Sequence, residues 1–308
     1  MREWVFGIEL GHFTNYTVGY GDAHLDRSAV RATPARGSEP LPCELELQLK
    51  LQFEFHLGPS PQRLGPNGPM TTPGPAWPQA RADQWKRKYM NVVQSMWHTR
   101  WPMVPANPCP SEPCMKANGH LQIIDVDTMT NAQGQQRRLL GDPTPTAPHV
   151  TIQVYEYRPR FGKDVSHVGG STAVLYDEDV QPQSAPQPQG FDPNQYTWRP
   201  GAASHETGHM LGRPHVMCPP GTPGDPNREE CYGATGSAEG QNVMGRGQEF
   251  SREDQAPFLS AMRAITGCEW RTESGGLPGW AVALIVAGSL ALVGGAIAGI
   301  AVAASQHH

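Results

Sequence analysis

The sequence predicts an α+β domain followed by one membrane-spanning helix, and three stretches of the chain carry this prediction. Residues 43–57 alternate apolar and polar side chains, which is typical of a strand with one buried face. Residues 79–101 repeat their apolar side chains at spacings of three and four, which indicates a helix that packs into the core. Residues 280–304 carry no charge and are numerous enough to span a bilayer as a helix.

The composition is that of a globular domain with long irregular connections. Apolar residues make up 38% of the 308 positions and charged residues 17%, which is enough to build a core. The 34 glycines and 31 prolines imply extended loops, and these fall at 58–78, 181–190 and 218–231. A net charge of −5 without a basic cluster argues against nucleic acid as a partner. We therefore predict a single domain at 42–275, preceded by a less informative segment at 1–41.

Shorter patterns predict the remaining elements of this domain. Strands are predicted at 4–10, 121–126, 150–157 and Thr172–Tyr176. A final helix begins near Ser251 and aligns four apolar residues on one face, namely Phe258, Leu259, Met262 and Ile265. The acidic run at 177–179 is predicted to be a solvated loop rather than a calcium site.

The stretch HETGHMLGRPH at 205–215 fits the pattern H-E-x-x-H-x-x-G-x-x-H. Positions four apart lie on one face of a helix, so His205 and His209 can direct their imidazoles at one metal ion. Glu206 lies beside that pair, where it can bond a metal-held water rather than the metal. With His215 as third ligand, a tetrahedral zinc ion keeps one open position, as catalytic sites require.

Two residues predict where this helix ends. Gly212 is suited to the positive φ with which a chain commonly turns away from a helix. Pro214 cannot continue the helix, because its ring leaves no backbone N–H for the next hydrogen bond. The turned chain is therefore expected to bring His215 back to the metal.

Asn242-Val243-Met244-Gly245 lies downstream and resembles the Met-turn, whose methionine packs beneath the zinc-binding histidines. With the zinc motif, this turn makes the chain similar to the metzincin metallopeptidases. The resemblance implies a metzincin-like zincin domain with a mixed twisted sheet, a long helix, the zinc helix, the Met-turn and a C-terminal helix. The subfamily stays open, because Val216 follows the third histidine and no tyrosine stands just beyond Met244.

The resemblance implies a zinc-dependent endopeptidase that acts on a protein or peptide. Zinc would polarise the scissile carbonyl, and Glu206 would move a proton from the bound water to the leaving amine. The substrate would lie extended along an edge strand, which we expect at 165–176. Two alternatives stay open: a catalytically silent zinc-binding scaffold, which the presence of Glu206 disfavours, and a membrane-active toxin or effector with an accessory zinc domain.

The six cysteines suggest disulfides, with Cys109–Cys114 and Cys218–Cys231 as the local pairs to expect first. Disulfides indicate an oxidising compartment, whereas the N-terminus shows no secretory signal pattern. Export by a signal-independent machine would satisfy both observations.

The uncharged run at 280–304 predicts a single-pass C-terminal membrane anchor. Gly295 and Gly299 form a G-x-x-x-G pair that permits helix–helix self-association, although a helix merely rich in small residues explains them equally well. Arg263 and Arg271 precede the run and no Lys or Arg follows it, which places the domain on the cytoplasmic side by default. An exported effector would instead insert into a foreign membrane.

Overall fold

The computed structural model describes most of the predicted domain. Cys218, residue 165 and the run 280–304 with Gly295 and Gly299 lie outside the described residues. Within those residues, no helix combines the length and the apolar character needed to cross a membrane. The described residues are 3–5, 8–18, 20–31, 41–61, 70–128, 148–159, 166–182, 184–189, 192–194, 196–197, 201–216, 229–234 and 237–273.

The described chain contains strands and helices of very different lengths. The strands are β1 Glu3–Val5, β2 Ile8–Val18, β3 Gly21–Asp26, β4 Cys43–Pro59, β5 Met103–Pro105, β6 Ala117–Asp125, β7 Val150–Pro159, β8 His167–Gly169, β9 Thr172–Tyr176, β10 Tyr196–Thr197 and β11 Trp270–Thr272. The helices are α1 Gln79–Met96, α2 Val126–Thr128, α3 Ala203–Met210, α4 Ala238–Gln241 and α5 Ala256–Thr266.

The predicted long strand and long helix are confirmed as β4 and α1, although α1 ends at Met96 and not near residue 101. Three further predicted strands are confirmed as β6, β7 and β9. The strand predicted at 4–10 is instead divided between β1 and β2, which pair antiparallel. The final helix begins at Ala256, after a 3-10 turn at Glu253–Gln255. Local periodicity was therefore sufficient to locate the longer elements.

The strands form a mixed sheet around β4. Strands β6 and β7 both run parallel to β4, and β9 runs parallel to β7. β8 pairs antiparallel with β9, so β9 lies inside the sheet between β7 and β8. The edge strand was expected at 165–176. Within that range β8 pairs with one described strand, whereas β9 pairs with two. The N-terminal strand β3 pairs antiparallel with the first half of β4.

The apolar face of β4 forms the centre of the core. From Leu45 to Phe55 its alternating leucines and phenylalanines are 0–9% exposed, as the period of two predicted. Helix α1 covers the second half of this face, with the Trp85 and Tyr89 rings 6.1 and 5.5 Å from the ring of Phe53. Each such buried side chain contributes about 1.5–3 kcal/mol, so the β4–α1 contact is a main source of stability.

The disulfides join distant segments, and the predicted local pair Cys109–Cys114 was wrong. Cys114 bonds Cys43, because the parallel start of β6 brings residue 114 beside the first residue of β4. Cys109 bonds Cys268, because pairing of β5 with β11 brings the two surrounding loops together. Cys231 is also disulfide-bonded.

The acidic run at 177–179 is not the solvated loop that was predicted. It forms a 3-10 turn, Asp177–Val180, in which Glu178 and Asp179 are 2% and 0% exposed. Arg158 from β7 donates to both carboxylates, through Nε to Glu178 Oε1 at 2.5 Å and through Nη2 to Asp179 Oδ1. Glu178 and Asp179 are buried because this guanidinium supplies the charge that burial of carboxylates requires.

Candidate metal centre

Helix α3 carries the first two histidines of the motif and ends at the predicted glycine. Gly212 has a φ of +82°, in the left-handed region. The N–H of Gly212 donates to His209 O at 2.9 Å, and the N–H of Arg213 donates to Gly208 O at 2.8 Å. These two bonds form a Schellman motif, which satisfies the last carbonyls of the helix and turns the chain back. The predicted positive φ is confirmed.

Helix α1 fixes α3 through two buried polar contacts. Trp97 Nε1 donates to Ser204 O at 2.9 Å. Thr207 Oγ1 donates its proton to Ala203 O at 2.8 Å, so Tyr89 OH is the donor in its 2.8 Å contact with Thr207. The aromatic face of α1 therefore stabilises the core and also sets the position of the motif helix.

The three motif histidines converge on one point. The Nε2 atoms of His205 and His209 are 3.1 Å apart, those of His209 and His215 are 3.0 Å apart, and those of His205 and His215 are 3.2 Å apart. Within the described residues, they are the group of His, Cys, Asp or Glu side chains that could hold a metal ion. The expectation that the turned chain returns His215 to the other two is confirmed.

Hydrogen bonds on the far side of two rings determine which nitrogen carries the proton. His205 Nδ1 lies 2.8 Å from Val243 O, and His209 Nδ1 lies 2.7 Å from Arg213 O. Because a carbonyl oxygen only accepts, each Nδ1 must be the protonated nitrogen. Each Nε2 then presents its lone pair to the centre of the cluster, which is the tautomer that binds a metal.

The spacing of the three nitrogens fits a small divalent ion. A tetrahedral zinc ion with Zn–N distances of about 2.0–2.1 Å separates its ligand nitrogens by about 3.3 Å. The observed separations of 3.0–3.2 Å are close to this value. Lone pairs facing one another at this distance repel, so a cation between them would remove the repulsion.

Burial keeps the imidazoles of His205 and His209 uncharged at neutral pH. Burial, with the neighbouring His209, lowers the pKa of His205 to about 3. Burial also lowers the pKa of His209 to about 4, against the favourable bond to Arg213 O. A histidine binds a metal as the neutral imidazole, so these two side chains can bind an ion without first losing protons.

Glu206 lies in the same helix turn but has an incomplete set of contacts. Its side chain is 5% exposed, and its Oε2 atom has no hydrogen-bond partner among the described residues. Burial, with the nearby charge of Asp179, raises the pKa of Glu206 to about 8 in the absence of a metal. A buried carboxyl oxygen without a hydrogen-bond partner is costly, and a water held at the histidine centre would supply a partner.

The predicted Met-turn packs directly against the motif helix. Asn242 Oδ1 accepts from Met244 N at 2.6 Å, and Gly245 N donates to Asn242 O at 2.9 Å, which closes the turn. Met244 is fully buried. A Cβ added at Gly208 would lie 2.2 Å from Met244 Sδ and 2.7 Å from Trp97 Cζ2. The methionine therefore supports the helix between the two histidines, and it requires glycine at 208.

Sequence reasoning missed two residues of this centre. The Tyr232 ring lies 5.6 Å from the ring of His205 and 4.2 Å from that of His215, measured between centroids. Asp254 is fully buried and accepts from the side chains of Asn242 and Arg213. The carbonyl of Arg213 orients His209, and the carbonyl of the residue after Asn242 orients His205. Tyr232 lies in a Pro/Gly-rich region without periodicity, and Asp254 resembled an ordinary residue of a helix start.

No protein-family model, curated protein or solved structure matches this chain. The fold and the site define a protein with a mixed sheet and a three-histidine centre that could hold a metal ion.

Proposed function

We propose that this chain is a zinc-dependent endopeptidase of the metzincin type. The observation that carries the proposal is the convergence of three Nε2 atoms within 3.0–3.2 Å, with a buried carboxylate on the same helix. The order of strand, long helix, further strands, motif helix, Met244 turn and final helix agrees with the element order that the resemblance implies.

His205, His209 and His215 would hold the ion. Bound zinc supplies a Lewis acid and lowers the pKa of a water molecule towards about 7. Glu206 would accept a proton from the attacking water at Oε2 and deliver it to the nitrogen of the leaving amine. Met244 would act without contacting the reacting atoms, by keeping the helix between the two histidines in place.

The substrate would pair with the edge of the sheet. β8 is an antiparallel edge strand within the described residues, and it packs beside α3, which carries His205 and His209. An extended peptide can add to such an edge by backbone hydrogen bonds, which hold any sequence in a defined register. This mode fits an endopeptidase, whose substrate must present a mid-chain bond to the metal.

A zinc-binding scaffold without activity is the main rival. A scaffold needs the three histidines but not Glu206, and an unpaired buried carboxylate oxygen lowers the stability of the fold. Glu206 Oε2 is such an atom. Retaining a destabilising group beside the histidines favours a chemical role over a structural one.

Metal analysis combined with a peptide-library assay on the full chain tests this proposal. We expect about one zinc ion per chain, cleavage of internal peptide bonds, loss of cleavage on chelation and recovery when zinc is restored. Stoichiometric zinc without cleavage of any library member would favour the scaffold, and cleavage that persists after complete chelation would rule out the mechanism.

We further propose that residues 280–304 anchor the enzyme in a membrane, with the catalytic domain on the cytoplasmic side unless the chain is exported. The support is the uncharged run itself. Fractionation of expressing cells should place the full chain with membranes and a 277–308 deletion in the soluble fraction. Recovery of both forms in the soluble fraction would contradict the anchor.

A further inference from the structure

Asp254 occupies an unusual position between the motif and the Met-turn. It lies just before α5, is fully buried, and is held by Ser251, whose N and Oγ both donate to Oδ2 at 2.8 Å. Two further donors reach the same carboxylate from different parts of the chain. These are Asn242 Nδ2, at 2.6 Å from Oδ2, and Arg213 Nη2, at 3.2 Å from Oδ1.

The first of these contacts leads to His205. Asn242 uses its amide group in two directions, because Nδ2 donates to Asp254 while Oδ1 accepts from Met244 N at 2.6 Å. The Val243 carbonyl shares a peptide plane with the Met244 N–H, and it accepts from His205 Nδ1 at 2.8 Å. The direction of the Val243 carbonyl therefore depends on the Asn242 amide, which Asp254 holds.

The second contact leads to His209. The Arg213 carbonyl accepts from His209 Nδ1 at 2.7 Å, while the guanidinium of the same residue donates to Asp254. The Arg213 N–H is fixed independently, by Gly208 O at 2.8 Å. Gly208 and Asp254 therefore hold the N–H and the side chain of Arg213, and Pro214 restricts the ψ angle of the residue before it, so the Arg213 carbonyl has little freedom to rotate.

We propose that Asp254 is a positioning residue that sets the tautomer and the ring orientation of His205 and His209 together, by holding both carbonyls to which these rings donate. The inference deepens the proposed zinc site and rests on it. Partners of metal-bound histidines typically change metal affinity about 10–100-fold when they are removed. Here one carboxylate acts on two ligands through two separate chain segments.

The sharpest test measures tautomers in the metal-free protein, where neither zinc nor activity is needed. In the full chain, the ¹⁵N chemical shifts of both rings should report protonated Nδ1 and unprotonated Nε2. Asp254→Asn should mix the tautomers of both histidines. Arg213→Met should mix those of His209 alone, and Asn242→Ala those of His205 alone.

Glu112→Gln is a matched control. Glu112 is 5% exposed, accepts from Arg27 Nε and Nη2 at 2.9 and 2.7 Å, and accepts from Cys114 N at 3.0 Å. It therefore combines an arginine with a backbone N–H, as Asp254 does, but contacts neither histidine segment. Its variant should leave both tautomers and the zinc affinity unchanged, while Asp254→Asn binds zinc about 10–100-fold more weakly.

Unchanged tautomers and zinc affinity in folded Asp254→Asn would overturn the proposal, as would an equal effect of Glu112→Gln. If Asp254→Asn does not fold, the two single-arm variants decide the matter, because each must alter its own histidine and leave the other unchanged. A chain with the expected tautomers and tight zinc binding but no peptide cleavage would contradict the peptidase alone and support this inference.

Discussion

Two neighbouring clusters of polar side chains have their hydrogen-bonding needs met in opposite ways. The Arg158 cluster consists of Arg158, Ser166, Glu178 and Asp179, and the histidine cluster consists of His205, Glu206, His209 and His215. In the Arg158 cluster every charged side chain has a partner of opposite charge, and Asp179 Oδ2 also accepts from Ser166 Oγ at 2.5 Å and from Tyr176 N at 2.8 Å. In the histidine cluster the Nε2 lone pairs of His205 and His209 face each other and the Nε2 atom of His215, and a carboxyl oxygen of Glu206 has no hydrogen-bond partner among the described residues.

The difference separates structural from chemical polar groups. A buried network whose members satisfy one another stabilises a particular packing and needs nothing from outside. A buried group of like acceptors does not stabilise itself, so its arrangement makes sense when a cation or a reacting molecule completes it. The comparison makes three predictions, because changes in the histidine cluster should alter chemistry and changes in the Arg158 cluster should alter stability. A fourth prediction concerns Met244, which packs beneath the histidine cluster.

The largest effect is expected from Glu206→Gln. This change removes the base while keeping the shape of the side chain and all three histidines. Peptide hydrolysis should fall by about 10²–10⁴, which is the usual contribution of a general base, and zinc content should stay the same. Cleavage at the parent rate by a purified, zinc-loaded variant would show that Glu206 has no role in the reaction.

Arg158→Met should act on stability instead. It leaves two buried carboxylates without their cation, and breaking a buried ion pair from one side costs about 3–5 kcal/mol. Urea unfolding of the metal-free protein measures this loss. Arg81→Met is the control, because Arg81 bonds Glu156 and Asp177 at a site where its side chain is 34% exposed, and such pairs contribute about 1 kcal/mol or less. Equal losses in the two variants would contradict the contrast between the clusters.

His215→Ala should weaken zinc binding by more than the roughly hundredfold that loss of an outer partner of a ligand can cause, because it removes a ligand itself. The ion would keep two protein ligands instead of three. Zinc content after dialysis against a competing chelator measures the effect. A variant that retains as much zinc as the parent would remove His215 from the ligand set.

The smallest effect is expected from Met244→Leu. Leucine has nearly the volume of methionine, and volume-conserving changes in a core usually cost about 1 kcal/mol. Thermal unfolding should show this modest loss while zinc remains bound. If the folded variant lost its zinc, Met244 would have to be a ligand rather than a support for α3.

The features that the sequence predicted are local ones. The alternation in β4, the apolar face of α1 and the positive φ at Gly212 follow from residues that are neighbours in the chain. The features that it missed depend on contacts between distant segments. Cys109 and Cys268 are 159 positions apart, and Asp179 is buried because of Arg158 on strand β7. Neither contact leaves a periodic pattern, so a solvated acidic loop and a local disulfide were the natural but mistaken expectations.

The close packing at Gly208 has a consequence for recognising distant relatives of this chain. The two unspecified positions of H-E-x-x-H are constrained here, because Thr207 bridges Tyr89 to Ala203 and Gly208 leaves no room for a Cβ beside Trp97 and Met244. A related chain with alanine at the second position should carry a smaller side chain in place of Trp97 or Met244. Glycine in the motif and tryptophan at the end of the long helix should therefore change together, and this pairing can be searched for in chains without overall similarity.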